Sequence, residues 1–222
     1  MTYGDIRFRL AQQFPGLTDL LDGWIADRYA AILDRLNWER RRVVGTLQTV
    51  APYETGTVSV QKGGTAITGT GTDWSEDMTG RTIRIANRPE IYTFTAMDED
   101  SGKLDRAYEG DTDAAASYRI FQSVYSLPAD CKIVESIRAY QTGLALAMVS
   151  ASRLDEIDAA RVPYGDPQMY TLAMEDESEP PRMQVELWPA PERALGLPVR
   201  YVAEAPSLNG TSVTILPWVR PA

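Results

Sequence analysis

Between Thr55 and Phe121 the hydrophobic pattern alternates with period two, and this stretch restricts the fold more than any other feature of the chain. Val58 and Val60, then Ala66 and Thr68, flank Lys62-Gly63-Gly64, the signature of two strands joined by a tight turn. Ile83 and Ile85, Ile91-Tyr92-Thr93-Phe94, Lys103-Leu104-Asp105 and Tyr118-Arg119-Ile120-Phe121 repeat it, punctuated by Gly69, Gly71, Gly80 and Gly102. About six short strands within roughly 70 residues predict a compact antiparallel barrel or sandwich.

Upstream the period is helical. Asp5 is positioned to cap a short amphipathic helix carrying Ile6, Leu10 and Phe14, which Pro15-Gly16 interrupts. Thr18 is the expected cap of a second helix, with Asp19 and Asp22 in its first turn. Leu21, Ile25, Tyr29, Ile32 and Leu36 recur at helical spacing. Run from Thr18 to Val44, this helix would extend roughly 40 Å at about 1.5 Å per residue. The first helix can cover only part of such a stripe, so the C-terminal half or a neighbouring copy must cover the rest. Arg40, Arg41 and Arg42 read either as complements to the dipole at the helix end or as phosphate contacts.

Downstream, Ile133–Tyr140 fits a strand or a helix. Ser152–Arg161 fits a helix capped by Ser152, with Leu154 and Ile157 on one face. Met169–Leu172, Met183–Trp188 and Pro198–Val202 read as strands, with the acidic Glu175–Pro181 as a mobile hairpin loop. The fold expected is α+β. Residues 1–50 form a helical segment with one long helix. Residues 51–124 form an inserted small antiparallel β barrel or sandwich. Residues 125–206 form a β-rich portion with a short helix, packing with 1–50, and 207–222 form an extended arm.

Composition removes a large part of enzyme chemistry. The 222 residues include no histidine, which excludes His-based nucleophilic triads and His-ligated metal sites, and one cysteine, which excludes an internal disulfide or a CxxC pair. Cys131 is expected to be buried or inert. With 31 acidic against 22 basic residues the net charge is −9, a balance unsuited to gripping nucleic acid by neutralising phosphates. It is compatible with letting a duplex slide past. The start of the chain lacks the basic, apolar pattern of a secretion signal, and no run approaches the roughly 18 apolar residues of a membrane span. A soluble protein made in the cytoplasm is the expectation.

The local motifs fail as chemistry. Gly64 and Gly69 have phosphate-loop spacing, but Thr70 and Gly71 stand where Lys and Ser or Thr are needed. Gly69-x-Gly71 places Trp74 where a dinucleotide fingerprint requires glycine. Asp98-Glu99-Asp100-Ser101-Gly102 has its glycine one position early for a calcium loop and reads as a polar turn. Trp38, Trp74 and Trp188 fall in segments that need apolar burial. Trp218 has few core candidates around it. No catalytic residues, cofactor or metal are expected, and a carboxylate-based hydrolase has no nucleophile motif to support it.

Thr55–Val60, Gly64–Trp74, Gly80–Ile85, Leu104–Tyr108, Tyr125–Pro128, Gly165–Tyr170, Val185–Pro191 and Val199–Tyr201, taken in order and spacing, resemble the head-to-tail adaptor proteins of tailed bacteriophages. The resemblance spans most of residues 18–206. It implies a structural, non-enzymatic connector in the neck of a virion, assembled as a ring, usually of twelve copies, below the portal protein. Such a ring bridges the portal to tail or neck proteins, and DNA passes through its lumen without sequence-specific binding. Adaptors of this kind engage the portal through terminal or extended segments. This suits an arm carrying Leu208, Val213, Ile215, Leu216, Trp218 and Arg220, and leaves Arg40, Arg41 and Arg42 as lumen or helix-end charges. Many relatives continue with a further helix where this chain stops at Pro221-Ala222. The alternative is a tail-fibre or baseplate β module that recognises carbohydrate or a host surface.

Overall fold

A computed structural model describes residues 3–35, 41–139, 141–176 and 178–204. Among them the architecture is mixed α+β and mostly β, with three helices and a nearly closed barrel-like sheet. The chain divides into two compact units, Met1–Val43 with Val202–Ala222, and Val44–Tyr201. These cuts differ from the segment boundaries drawn from sequence at residues 50, 124 and 206.

In the first unit, α1 (Tyr3–Gln13) stops before Pro15-Gly16, as the sequence predicts, and α2 (Thr18–Asp34) follows. Asp5 lies inside the first turn of α1 rather than capping it. Leu17 occupies the N-cap position of α2 and makes no side-chain cap bond, so Thr18 begins the helix instead. The expected long helix is shorter. It ends at Asp34, and β1 (Arg42–Gln48) starts inside the span expected to be helical. Val43, Val44 and Thr46 explain the change, because β-branched side chains lose rotamer freedom in a helix and suit a strand. Arg42 therefore opens a strand and does not close a helix.

In the second unit, β2 (Thr57–Val60) and β3 (Ala66–Thr70) form the expected hairpin. β4 (Thr82–Ile85), β5 (Ile91–Ala96), β6 (Ser101–Leu104), β7 (Asp113–Ala116) and β8 (Tyr118–Phe121) complete a sheet of order β7-β2-β3-β6-β5-β4-β8. The two ends of this order are neighbours in sequence, separated only by Ser117. Tyr53, just ahead of β2, exchanges backbone bonds of 2.8 and 2.9 Å with Ile120 in β8. One continuous segment, 113–121, thus pairs with the β2 side along its first half and with β4 along its second. That continuity brings the sheet round on itself and satisfies edge groups that would otherwise be free to pair with other chains.

The alternating apolar residues point inward: Val58, Val60, Ile67, Ile83, Ile85, Phe94, Leu104 and Ile120 are buried in one cluster. Trp74, arriving from the loop after β3, joins them as expected of a core residue. Its ring meets Phe94 edge-on at 5.0 Å, and its indole N–H donates to the Tyr118 hydroxyl at 3.0 Å. That hydroxyl donates in turn to the Thr55 carbonyl at 2.6 Å, so both polar tips of the aromatic core are satisfied. Burial raises the Tyr118 phenol above its ordinary pKa, and the Trp74 bond partly offsets this.

The chain continues through β9 (Val124–Ser126), β10 (Cys131–Ile137), β11 (Ala147–Met148), α3 (Ala151–Asp158), β12 (Tyr164–Gly165), β13 (Met169–Leu172), β14 (Gln184–Trp188), β15 (Ala190–Pro191) and β16 (Gly196–Ala203). These strands form sheets of order β1-β16-β10, β11-β13-β14-β9 and β12-β15. The segment from Ile133, open between helix and strand in the sequence, is strand. The cap of α3 is Ser150, which accepts from the Arg153 N–H at 3.2 Å, and not Ser152, which lies within the helix. The acidic β13–β14 loop is organised around a carboxylate. Asp176 accepts from the Ser126 hydroxyl at 2.6 Å, from the Arg182 N–H at 2.8 Å and from the Ser178 N–H and hydroxyl. These donors hold its pKa well below the usual carboxylate range.

Two glycines in the barrel separate conformational from steric need. Gly56 has φ +83°, and a Cβ there would lie 2.4 Å from the Thr70 carbonyl oxygen. Gly63 has φ +78° with no atom within 4 Å of that position. We expect Gly63→Ala to cost about 1 kcal/mol of stability from the left-handed backbone alone. Gly56→Ala, which adds a backbone collision, should cost about 3 kcal/mol. Urea unfolding of the two variants checks the difference. Equal midpoints would show that the β2–β3 approach is not tight.

Candidate subunit interface

The apolar surface of α2 is wider than the part of it that is buried. Leu21, Ile25 and Tyr29, spaced by four residues, form a buried stripe. On the adjoining side of the helix Leu17, Leu20 and Trp24 remain in solvent, Leu20 at 52% and Trp24 at 49% exposure. Phe8 on α1, at 65%, and Phe14 after it are exposed too. At about 100° per residue, Leu20, Trp24, Leu21, Ile25 and Tyr29 fall within an arc of about 180°, with the exposed Arg28 between its open and buried parts. An ordinary surface helix keeps a narrower stripe and covers it. Here roughly half the arc is open.

The helix pair is pinned by a small polar cluster. Asp22 of α2 accepts from the Arg7 Nε at 2.7 Å and from the Tyr3 hydroxyl. The two donors lower the Asp22 pKa. The Tyr3 pKa rises through burial and through its bond to Asp22. Asp22 therefore serves as a tie between the helices in addition to lying near the N-terminus of α2.

Of the arginine triplet, Arg40 lies outside the described residues. Arg41 is buried, and its Nε donates to the Ala203 carbonyl at 2.8 Å. Its charge also bears on Tyr29, whose pKa is raised by burial and lowered in part by Arg41. Arg42 is exposed at the start of β1. The arm residues Leu208, Val213, Ile215, Leu216, Trp218 and Arg220 lie outside the described residues, as does Trp38.

Among the described residues, no group of three or more Cys, Asp or Glu side chains is arranged to hold a metal ion. The Cys131 thiol is half-buried, and burial together with neighbouring Asp130 pushes its pKa up to about 11, which keeps it protonated at neutral pH. Asp98 and Asp100 belong to the β5–β6 turn, where the hydroxyl of Ser101, the first residue of β6, donates to Asp98 at 3.0 Å. No described helix is long and apolar enough to cross a membrane.

Compared with known proteins, the chain matches no protein-family model, no curated protein and no solved structure.

Asp22 gives the helix pair a definite pH response. A carboxylate with a lowered native pKa contributes stability above its unfolded value, about 4, and loses that contribution as pH falls through its lower native value. Asp22→Asn should lower the urea midpoint at about pH 7, and the gap from the parent chain should close as pH falls below the ordinary carboxylate range. A gap that persists unchanged in acid would show that the Asp22 charge is not what joins α1 to α2.

Proposed function

We infer that the protein is a structural head-to-tail adaptor of a tailed phage. Copies form a ring that docks beneath a portal, bridges it to tail or neck proteins and lets DNA pass through its lumen. The observation that carries this reading is the open half of the α2 arc, together with the ordered resemblance over residues 18–206. Contiguous apolar surface on a small soluble unit marks a place where another protein sits. When the surface that meets it lies elsewhere on an identical copy, the contact repeats head to tail until the ring closes. Twelve copies is the number the resemblance implies.

The charge of the chain fits the same role. At −9 per copy, a ring repels a passing duplex and forms few of the phosphate contacts that would slow it. Residues 51–122 carry seven basic and twelve acidic groups, so the barrel segment shares the acidic character. The arm, with its run of apolar residues and Trp218, is the portal-docking element in this reading. The site of action is the neck of the virion.

Two experiments test the proposal. Native mass spectrometry with portal present should give a ring-sized assembly, and Leu20→Ser with Trp24→Ser should dissociate it, since each anchor is worth about 2 kcal/mol per contact. The double variant should keep the thermal melting of the second unit. Removal of residues 208–222 should abolish portal attachment while the fold persists. A chain that stays monomeric at all concentrations, with and without portal, would overturn the adaptor reading. Unchanged attachment of the truncated chain would move the docking surface elsewhere.

A further inference from the structure

Arg84 is a buried cation with no anionic partner among the described residues. It stands between Ile83 and Ile85 in β4, whose side chains fill the barrel, so its own side chain projects outward, yet it is only 5% exposed. The loop after α3 covers it. Its Nη2 donates to the carbonyls of Ala160 and Arg161 at 2.9 and 3.1 Å, and its Nη1 donates to the Tyr164 hydroxyl at 2.6 Å and the Val162 carbonyl at 3.3 Å. The Phe121 and Tyr164 rings lie 5.6 and 5.4 Å from its guanidinium carbon. Every partner is neutral, and the buried Nε has none. Carbonyl dipoles and ring faces soften the cost of burying a charge but do not cancel the charge.

Arg84 lines an open cleft of about 610 Å³ shared with Glu54, Arg88, Arg119, Val162 and Tyr164. The other cations there are already matched. Arg119 pairs with Glu54 and stacks on Tyr164 at 4.0 Å, and Arg88 pairs with Glu90 at 3.3 Å. One positive charge is left over, at Arg84, beneath walls that include the exposed side chain of Val162 and the ring of Tyr164.

We propose that this cleft binds a single carboxylate flanked by apolar groups, as presented by an acidic side chain in a peptide. One uncompensated charge calls for one negative charge. A doubly charged phosphate would meet the Glu54 carboxylate in the same lining and bring more charge than the cleft can match. The apolar walls favour a ligand with hydrophobic neighbours over a free inorganic ion. The inference does not depend on the ring reading, since all of the lining belongs to the second unit.

The test titrates the full chain with three probes: a blocked tripeptide with glutamate between two leucines, its glutamine counterpart, and inorganic phosphate. Binding is followed by heat and by the Arg84 and Arg119 side-chain N–H resonances. The glutamate peptide should bind at least tenfold more tightly than either of the other two and shift both sets of resonances. Ser117→Trp, which obstructs the cleft from an exposed position without touching the Arg84 bonds, should abolish binding and leave the melting temperature unchanged. Arg84→Met should also abolish it, and if that variant does not fold, Ser117→Trp decides. Equal binding of the glutamine peptide, tighter binding of phosphate, or no binding of the glutamate peptide would each overturn the proposal.

Discussion

A guanidinium held in the wall of a β barrel governs how the larger unit is put together. Arg84 hands its terminal donors to three successive carbonyls, Ala160, Arg161 and Val162, and to the Tyr164 hydroxyl, across more than 70 residues of chain. Those carbonyls belong to the loop just past the end of α3, where backbone acceptors depend on partners from elsewhere in the chain. The arginine supplies both the missing donors and a positive charge at the negative end of the helix dipole. From the other side, Arg161 pairs with Glu186 of β14 at 2.6 Å, and the Trp188 indole donates to Asp158 at 3.0 Å. A short loop without regular structure is thereby held to the barrel and to the β13–β14 hairpin at once. The barrel and the C-terminal strands consequently belong to one compact unit, although local sequence suggests an insertion followed by a separate portion.

The sequence makes elements legible where burial is one-sided and local. The barrel strands are of this kind. Each has one apolar face, so Val58 and Val60, or Ile83 and Ile85, announce it within four residues. β7 is missed because Asp113-Ala114-Ala115-Ala116 has neither β-branched residues nor a full apolar face, and its strand character comes from pairing with β2. The end of α2 is missed for a related reason. The apolar spacing of Leu21, Ile25, Tyr29 and Ile32 runs on toward Leu36, while β-branched Val43 and Val44 direct the chain into a sheet whose partner, β16, lies about 150 residues away. Arg84 was invisible to local reading. An alternating strand places it on the outer face, and nothing nearby shows that another loop will cover that face. Asp22, read as a dipole complement, gains its second role only because Tyr3 and Arg7 fold back on it.

The candidate interface was half legible. The buried stripe of α2 is the one the spacing reveals, whereas Leu17, Leu20 and Trp24 look like an ordinary flank until their exposure is known. This distinction matters physically. A helix arc covered on one side and open on the other has already offset much of the entropy of ordering its backbone through its own unit. A partner that covers the remainder therefore gains apolar burial without folding a disordered segment. Such surfaces favour rigid, repeated contacts, as a closed ring requires.

The two features together separate tasks along the chain. The barrel closes its edges through the continuous 113–121 segment and buries its aromatic core with Trp74 and Tyr118 bonded in series. A sheet closed in this way offers few free backbone donors, so strand addition is a poor route for partners to reach it. What it does offer is a cleft with one unmatched charge, a feature suited to recognising a side chain and not a backbone. The helix pair offers the opposite: exposed apolar area at Leu17, Leu20 and Trp24, beside the Arg7–Asp22 ion pair that ties α1 to α2. Any contact made through the Arg84 cleft rests on one charge pair in a poorly solvated site, where ionic strength screens less than it does at the surface and the pairing contributes selectivity more than area.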